Sequence, residues 1–397
     1  MNRVVITGCG VVSSIGIGMA EFTDSLRAGR SGVRPISLFD TSGFDYANGC
    51  EVTGFEPEQW IKQCDIAELG RAARFVVAAA RMAMQEAGLR ETTRPGLISI
   101  GSADGESFDL DTLVGADVAG IDIDPVVAKR VSAVRLSTAI SDELELSTVE
   151  PITLATACSA GNYAIGYALD AVRAGDVDYA LCGGADAMCR KIFAGFYRLG
   201  TIAPDCCRPF DRDRKGILTG EGAGVLVLES LPSATARGAR IYAEVLGYGA
   251  NCDAFHPVAP DQAGVAQCLR LALDDARLRP DEVDMISAHG TGTESNDITE
   301  VAAIREVYGP APPPTISVKS MLGHTMGAAS ALASIACAAA VRHGFIPPTI
   351  NHANTDPRCP VDCVPNKSRP AALRVVQNNG LAFGGTNASV ILGRFDG

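Results

Sequence analysis

Cys158 closes an apolar run, Ile152-Thr153-Leu154-Ala155-Thr156-Ala157, and opens a helix-like run, Ser159-Ala160-Gly161-Asn162-Tyr163-Ala164-Ile165-Gly166. A thiol at such a strand-to-helix junction meets unpaired backbone N–H groups and the positive end of the helix dipole. Both favour thiolate over thiol, which is how a cysteine becomes a nucleophile near neutral pH. Its small neighbours Ala157, Ser159, Ala160 and Gly161 leave room for a substrate. Two histidines follow far downstream. His289 lies in Ala288-His289-Gly290-Thr291-Gly292-Thr293, a turn whose glycines and hydroxyls can approach a ligand closely. His324 follows Lys319-Ser320-Met321-Leu322-Gly323 and opens an alanine-rich helix. The positive helix end there favours neutral imidazole, suited to donating a hydrogen bond to an anionic oxygen rather than to general-base work. Lys319, if buried beside the histidines, supplies fixed positive charge. The run Phe383-Gly384-Gly385-Thr386-Asn387 allows close backbone approach to a reacting carbonyl, with an N–H facing the oxyanion.

The remaining reactive side chains read more plainly. Thirteen cysteines at irregular spacing, with no Cys-x-x-Cys pair, indicate neither a disulfide framework nor a zinc site. Cys9, Cys182, Cys189 and Cys337 suit packing roles, and Cys206, Cys207, Cys359 and Cys363 read as accessible or half-buried thiols rather than metal ligands. His343 and His352 read as structural or exposed, and His256 as a weaker candidate in a loop. Asp297 and Glu300 are carboxylates of the ordinary kind at a helix start.

The chain has 397 residues, 47% of them hydrophobic, enough to bury a large core. Its net charge of −12 argues against general attraction to nucleic acid or anionic lipid. The longest apolar stretches fall short of a membrane span and no secretory signal opens the chain, so a cytoplasmic location is expected.

Strand-like and helical runs alternate throughout, the pattern of an α/β protein. Strands are expected at Val4–Thr7 (ended by Gly8 and Gly10), Leu97–Ile100, Ile152–Thr156, Val177–Gly183 and Gly224–Leu228. Helices are expected over Glu68–Ala87 and from Cys158 to about Ala174. From Ile241 the order starts again: a strand to Leu246, a helix over about Gly264–Ala276, and a strand Val283–Ser287 that delivers His289. This weak internal duplication divides the chain at 1–240 and 241–397, with reactive residues at the carboxyl ends of strands, where open α/β sheets place their sites.

Taken together, the ordered motifs resemble the β-ketoacyl-[acyl carrier protein] synthases of the elongating class, including the ketosynthase subunits of type II polyketide systems. The resemblance also covers Val4-Val5-Ile6-Thr7-Gly8, Arg208-Pro209-Phe210-Asp211 and Gly220-Glu221-Gly222-Ala223-Gly224, and runs essentially end to end. It implies the thiolase fold, two similar halves stacked in five αβαβα layers, and a dimer formed across the first half. Cys158 would take an acyl chain from a phosphopantetheine thioester, with no resident cofactor or metal. His289 and His324 would hold the thioester oxygen of malonyl-[acyl carrier protein] as decarboxylation makes it an enolate. The backbone N–H groups of Cys158 and Phe383 would form the oxyanion hole, Lys319 would orient the site electrostatically, Thr291 and Thr293 would bind pantetheine, and Phe383 would gate the nucleophile.

Three positions depart from the family pattern: Ala333 where many members carry glutamate, Ala382 where glycine commonly precedes the phenylalanine, and the stretch from Gly101 to Arg135, which should contribute to the dimer contact and acyl pocket. A non-catalytic chain-length-factor-like subunit would lack Cys158, and a thiolase would need another cysteine near the C-terminal Gly-rich loop. The expected partners are acyl carrier protein and either a second copy or a chain-length-factor-like subunit. Arg71, Arg74, Lys129, Arg130 and Arg208 are the candidates for a basic docking patch.

Overall fold

The computed structural model describes residues 2–89 and 94–397. Ten strands form the path of one large mixed sheet: β1 (Val4–Ser13), β2 (Gly96–Gly101), β3 (Val149–Leu154), β4 (Tyr179–Asp186), β5 (Gly222–Ser230), β6 (Ala243–Cys252), β7 (Met285–Ser287), β8 (Thr315–Ile316), β9 (Val375–Gly380) and β10 (Thr386–Gly393). Their spatial order is β8-β7-β9-β10-β6-β1-β5-β4-β2-β3, and the short strand Gly16–Ile17 pairs back onto β1. Outward from the central antiparallel pair β1 and β6, the first half runs first, fifth, fourth, second, third strand in chain order, and the second half repeats that order. The directions repeat too: two antiparallel pairings followed by two parallel ones on each side.

Seven helices matter for the site: α1 (Arg71–Ala87), α2 (Ser107–Ala119), α3 (Ala160–Ala174), α4 (Arg190–Arg198), α5 (Gln262–Ala276), α6 (Glu294–Tyr308) and α7 (Ala328–His343). Helices α3 and α7 pack together between the two halves of the sheet, α1 covers the outer face of the first half, and α5 with α6 covers the second. This is the five-layer thiolase fold. Position explains composition: residues 328 to 341 of α7 are all buried, so the helix is small and apolar on every face.

Strand β1 runs straight through Gly8 and Gly10 rather than ending there. A Cβ on Gly8 would lie 2.1 Å from the Ala83 carbonyl oxygen, and one on Gly10 would lie 1.9 Å from that of Ala79. These glycines let α1 settle onto the strand and do not terminate it. Cys207, Cys359 and Cys363 also differ from expectation, since all three are buried, Cys359 and Cys363 in a cluster with Phe210, Ile286 and Ile304. The other expected elements occur with ends shifted by a few residues, as cooperative pairing extends strands beyond their apolar cores.

At one end of the sheet, β3 is paired only with β2, and no described strand occupies its other side. Its residues are half-buried or exposed, and Pro151 suits an edge that need not donate. The neighbouring segment leaves Val114, Val118, Ile121, Ile123 and Val134 open to solvent, with Val118 at 82% exposure. Among the described residues no helix is long and apolar enough to cross a membrane.

Substituting Gly10 by Ala should force α1 off β1 and lower stability by about 1–3 kcal/mol. Chemical denaturation of the two proteins measures this, and an unchanged midpoint would show that the helix has slack.

Candidate active site

Strand β3 ends at Leu154, and a single helical turn over Ala157–Ser159 presents Cys158 before α3 begins. Ala157 holds φ at +50°, a strained conformation for a residue with a Cβ, and thereby turns the thiol out of the strand direction. Cys158 is 7% exposed and reaches two cavities. The first, about 200 Å³, is lined by Cys158, His289, His324, Thr291, Thr293 and Phe383 among others. The second, about 460 Å³, lies between Ala103, Asp104, Ala157, Met326 and the α4 residues Lys191, Ile192 and Phe196. Cys158, Phe196, Leu199 and Phe383 border both. Phe196 and Phe383 meet with ring centroids 5.7 Å apart, and Phe383 remains 40% exposed.

The histidine rings stand nearly perpendicular, with centroids 5.3 Å apart. Beneath them lies the buried Lys319 ammonium, which donates to the His289 carbonyl oxygen at 2.7 Å and sits 3.4 Å from His289 Nδ1. An ammonium only donates, so His289 Nδ1 is the acceptor and its proton resides on Nε2. His324 Nδ1 accepts the backbone N–H of Met326 at 3.1 Å, which sets the same tautomer. Burial, then the Lys319 charge, holds both imidazoles well below their ordinary pKa; for His289 the other ring adds to this. Each ring is therefore neutral and offers an Nε2–H. His324 reaches this state four residues ahead of α7, so burial and Lys319, rather than the helix end, account for it.

Cys158 itself corrects the expectation of a thiolate. Burial pushes the thiol up to about 12, and Asp104 and Asp186 act in the same direction. Lys319 and the residue's own backbone N–H pull the other way without overcoming burial. In the free protein the sulfur carries its proton. Phe383, which borders both cavities with Cys158, opens a short helical turn over Phe383–Gly385. Ala382 precedes Phe383 with extended backbone (φ −137°, ψ 156°), so a side chain there adds no strain.

Asp297 and Glu300, on the first turns of α6, are fully buried and do more than cap a helix. Glu300 accepts the N–H groups of His289 at 2.7 Å and Gly290 at 2.8 Å, fixing the turn that carries the imidazole. Asp297 accepts the N–H groups of Phe210 and Gly292, and faces the buried Arg214, which also pairs with Asp356 at 2.7 Å. Burial raises the pKa of both carboxyls, opposed by these hydrogen bonds. Burial lowers that of Lys319, opposed chiefly by Glu300, so Glu300 supplies its countercharge. Thr291 and Thr293 share a hydroxyl hydrogen bond of 2.9 Å on the cavity wall. Ser295 and Asn296, Val258–Pro260 and the α4 residues complete the walls, and the sequence motifs do not signal them.

His256 is exposed and spends its Nδ1 on the N–H groups of Val258 and Ala259, outside the cavity. Four of the five basic candidates fall in one neighbourhood, where Arg74 feels the charges of Arg130 and Arg71, and each has a partner. Arg71 is clamped by Glu221 at 2.6 Å, Arg74 donates to the Ile66 carbonyl, and Lys129 and Arg130 pair with Glu68 and Asp109. Arg208, paired with Asp205 at 2.7 Å, stands apart beside the Thr291 wall, where Cys207 Sγ contacts the Thr291 carbonyl at 3.2 Å. Among the described residues no group of three or more His, Cys, Asp or Glu side chains is arranged to hold a metal.

Known proteins share this arrangement of chain. The family described as "Beta-ketoacyl synthase, N-terminal domain" matches residues 1–234, and "Beta-ketoacyl synthase, C-terminal domain" matches residues 242–353. The chain belongs to the β-ketoacyl synthase family. This synthase is 39% identical to nodulation protein E of Rhizobium sp. (strain N33), over 98% of each chain. It is 37% identical to the tetracenomycin polyketide synthase ketoacyl synthase alpha subunit of Streptomyces glaucescens, over 99% of this synthase and 97% of that protein. Among solved structures, "The ishigamide ketosynthase/chain length factor" superimposes with a TM-score of 0.98 at 60% identity, covering 99% of each chain. A complex titled "AntDE:AntF (apo): type II PKS acyl-carrier protein in complex with its ketosynthase bound to the hexaketide" gives 0.91 at 29% identity, covering 99% of this synthase and 100% of that chain.

In a Lys319→Met variant both imidazoles should titrate at higher pH than in the parent, because a positive charge that opposes their protonation is gone. The Cys158 thiol should move up as well, having lost a charge that favours its anion. Ring-proton NMR and the pH profile of Cys158 alkylation read the two shifts; unmoved histidines would remove Lys319 from the account.

Proposed function

We propose that this chain performs decarboxylative Claisen condensation, joining an acyl group held on Cys158 to malonyl-[acyl carrier protein] and giving 3-ketoacyl-[acyl carrier protein]. The observation that supports it most is one cavity shared by a thiol and two neutral imidazoles, both with Nδ1 engaged and Nε2–H free. In the first half-reaction the Cys158 sulfur attacks an acyl thioester, and its proton leaves on the departing pantetheine sulfur. The N–H groups of Cys158 and Phe383 receive the developing oxyanion. The acyl chain then occupies the second cavity, past the Phe196 and Phe383 rings, and the first is free for the malonyl arm, bound by Thr291 and Thr293.

His289 and His324 donate to the malonyl thioester oxygen as carbon dioxide departs. Neutral donors suit this step, since they stabilise an enolate without quenching it by full proton transfer. The enolate carbon attacks the acyl carbonyl, the C–S bond breaks, and the Cys158 thiolate takes a proton from water. Lys319 orients the site and holds its charge state. Phosphopantetheine arrives on the carrier, so the enzyme works without a resident cofactor, in the cytoplasm.

The two halves divide at 1–240 and 241–397. A second subunit, identical or chain-length-factor-like, covers the open edge of β3 and the apolar residues from Val114 to Val134, and acyl carrier protein docks near Arg208. A non-catalytic role for this chain is disfavoured by Cys158. The thiolase alternative gains one feature from the structure, Cys252 Sγ lying 3.5 Å from the Gly384 carbonyl, but Cys252 lines neither cavity at Cys158.

Intact mass spectrometry after mixing with acyl carrier thioesters should show an adduct on Cys158. Cys158→Gln should abolish condensation while malonyl decarboxylation persists, and continued product formation would refute the assignment. Reversing the charge in Arg208→Glu should slow acyl transfer from the carrier and spare a small pantetheine thioester; equal loss with both substrates would count against docking there.

A further inference from the structure

Residues 216–220 lie between the motifs at 208–211 and 220–224, and no step of the condensation uses them. They nevertheless form a strap that touches both histidine turns. The Gly216 N–H donates to the Gly292 carbonyl, in the turn that carries His289, at 3.0 Å. The His324 N–H donates to the Leu218 carbonyl at 2.7 Å, and the Gly220 N–H donates to the His324 carbonyl at 2.9 Å, so that Thr219 and His324 pair like residues of adjacent parallel strands. Both main-chain groups of His324 are thereby taken by one neighbour. The strap is itself fixed from two further directions. The Ile217 N–H donates to the Thr201 carbonyl and the Ala203 N–H to the Ile217 carbonyl, both at 2.7 Å, while the short strand Thr219–Gly220 pairs in parallel with Asn48–Cys50. Contact with the His324 turn is tight: a Cβ on Gly220 would stand 2.4 Å from the carbonyl oxygen of Leu322, just before His324.

Two Nε2–H groups serve one oxygen only if their nitrogens stand no farther apart than about 6 Å, twice a hydrogen-bond length. The rings, with centroids 5.3 Å apart, are carried by separate turns, and the strap joins the main chains of those turns. We propose that residues 216–220 set the separation of the two imidazoles, with Gly220 a positioning residue for His324 in the decarboxylation step. The inference rests on the reading of both imidazoles as donors to the malonyl thioester oxygen. Acyl transfer to Cys158 uses the N–H groups of Cys158 and Phe383 instead, so displacing His324 slows one half-reaction and spares the other.

The test follows the half-reactions separately, reading malonyl-pantetheine decarboxylation by carbon dioxide release and octanoyl-pantetheine loading of Cys158 by intact mass. In Gly220→Ala, kcat for decarboxylation should fall about tenfold or more, while its KM and the loading rate stay within about twofold of the parent. Leu218→Ala leaves the main chain of the strap in place and removes packing behind it, where Leu218 is buried with Ala203 and Cys207. It should show the same split to a smaller extent and serves if the Gly220 variant does not fold. Equal loss in both half-reactions, or decarboxylation at the parental rate in a folded variant, overturns the positioning role and leaves the imidazole reading intact. A parent that releases no carbon dioxide overturns that reading and this proposal with it.

Discussion

An ammonium buried beneath two imidazoles sets the charge state of the whole centre. Lys319 cannot be solvated where it sits, so the chain answers it with the His289 carbonyl, the His289 Nδ1 lone pair and the Glu300 carboxylate behind the same turn. Burial and then this charge keep both rings unprotonated, while contacts at Nδ1, from Lys319 on His289 and from the Met326 N–H on His324, fix their tautomers. Remove it and both rings lose one of the two causes of their neutrality, and His289 loses the contact that points Nε2–H into the cavity. Glu300 is equally committed, since it holds the His289 turn through two N–H groups while balancing the ammonium.

Around this centre the protein spends many buried polar groups on posture. Arg214 ties the Asp297 and Asp356 carboxylates together behind the Thr293 wall, and Asp186 gathers the turn at Ser102–Asp104 and the start of α7 onto one carboxylate. Each of these groups would be costly to leave unpaired, so the carboxylates are paired several times over and tie the loops at the strand ends to one another. A reaction that passes from thioester to enolate to ketone within one cavity needs that rigidity, because its donors must already stand where negative charge will appear.

Much of this was legible in the chain. Cys158, His289, Lys319 and His324 lie in short motifs of small residues at strand or helix ends, and such a setting is a local property. So is the repeated order of elements, which becomes the repeated strand order of the sheet. What could not be read depends on distant neighbours. The thiol's protonation follows from desolvation by several segments at once, and the pairing of buried Asp297 with Phe210 and Arg214 reaches across more than eighty residues. Phe196 belongs to an amphipathic helix, and Leu199 follows directly after it; their apolar side chains read as core until the fold opens a cavity beside them. Gly8 and Gly10 looked like punctuation because their reason, the backbone of α1, is absent from their own neighbourhood.

The open side of β3 carries a further consequence. That strand ends only four residues before Cys158, and Thr153 within it holds the Ala133 carbonyl and the Ser137 hydroxyl. Whatever occupies the free edge therefore braces the turn that aims the sulfur, and quaternary structure and reactivity become one variable. Dilution would act on such a protein as an inhibitor does, loosening the nucleophile before any residue of the active centre is touched.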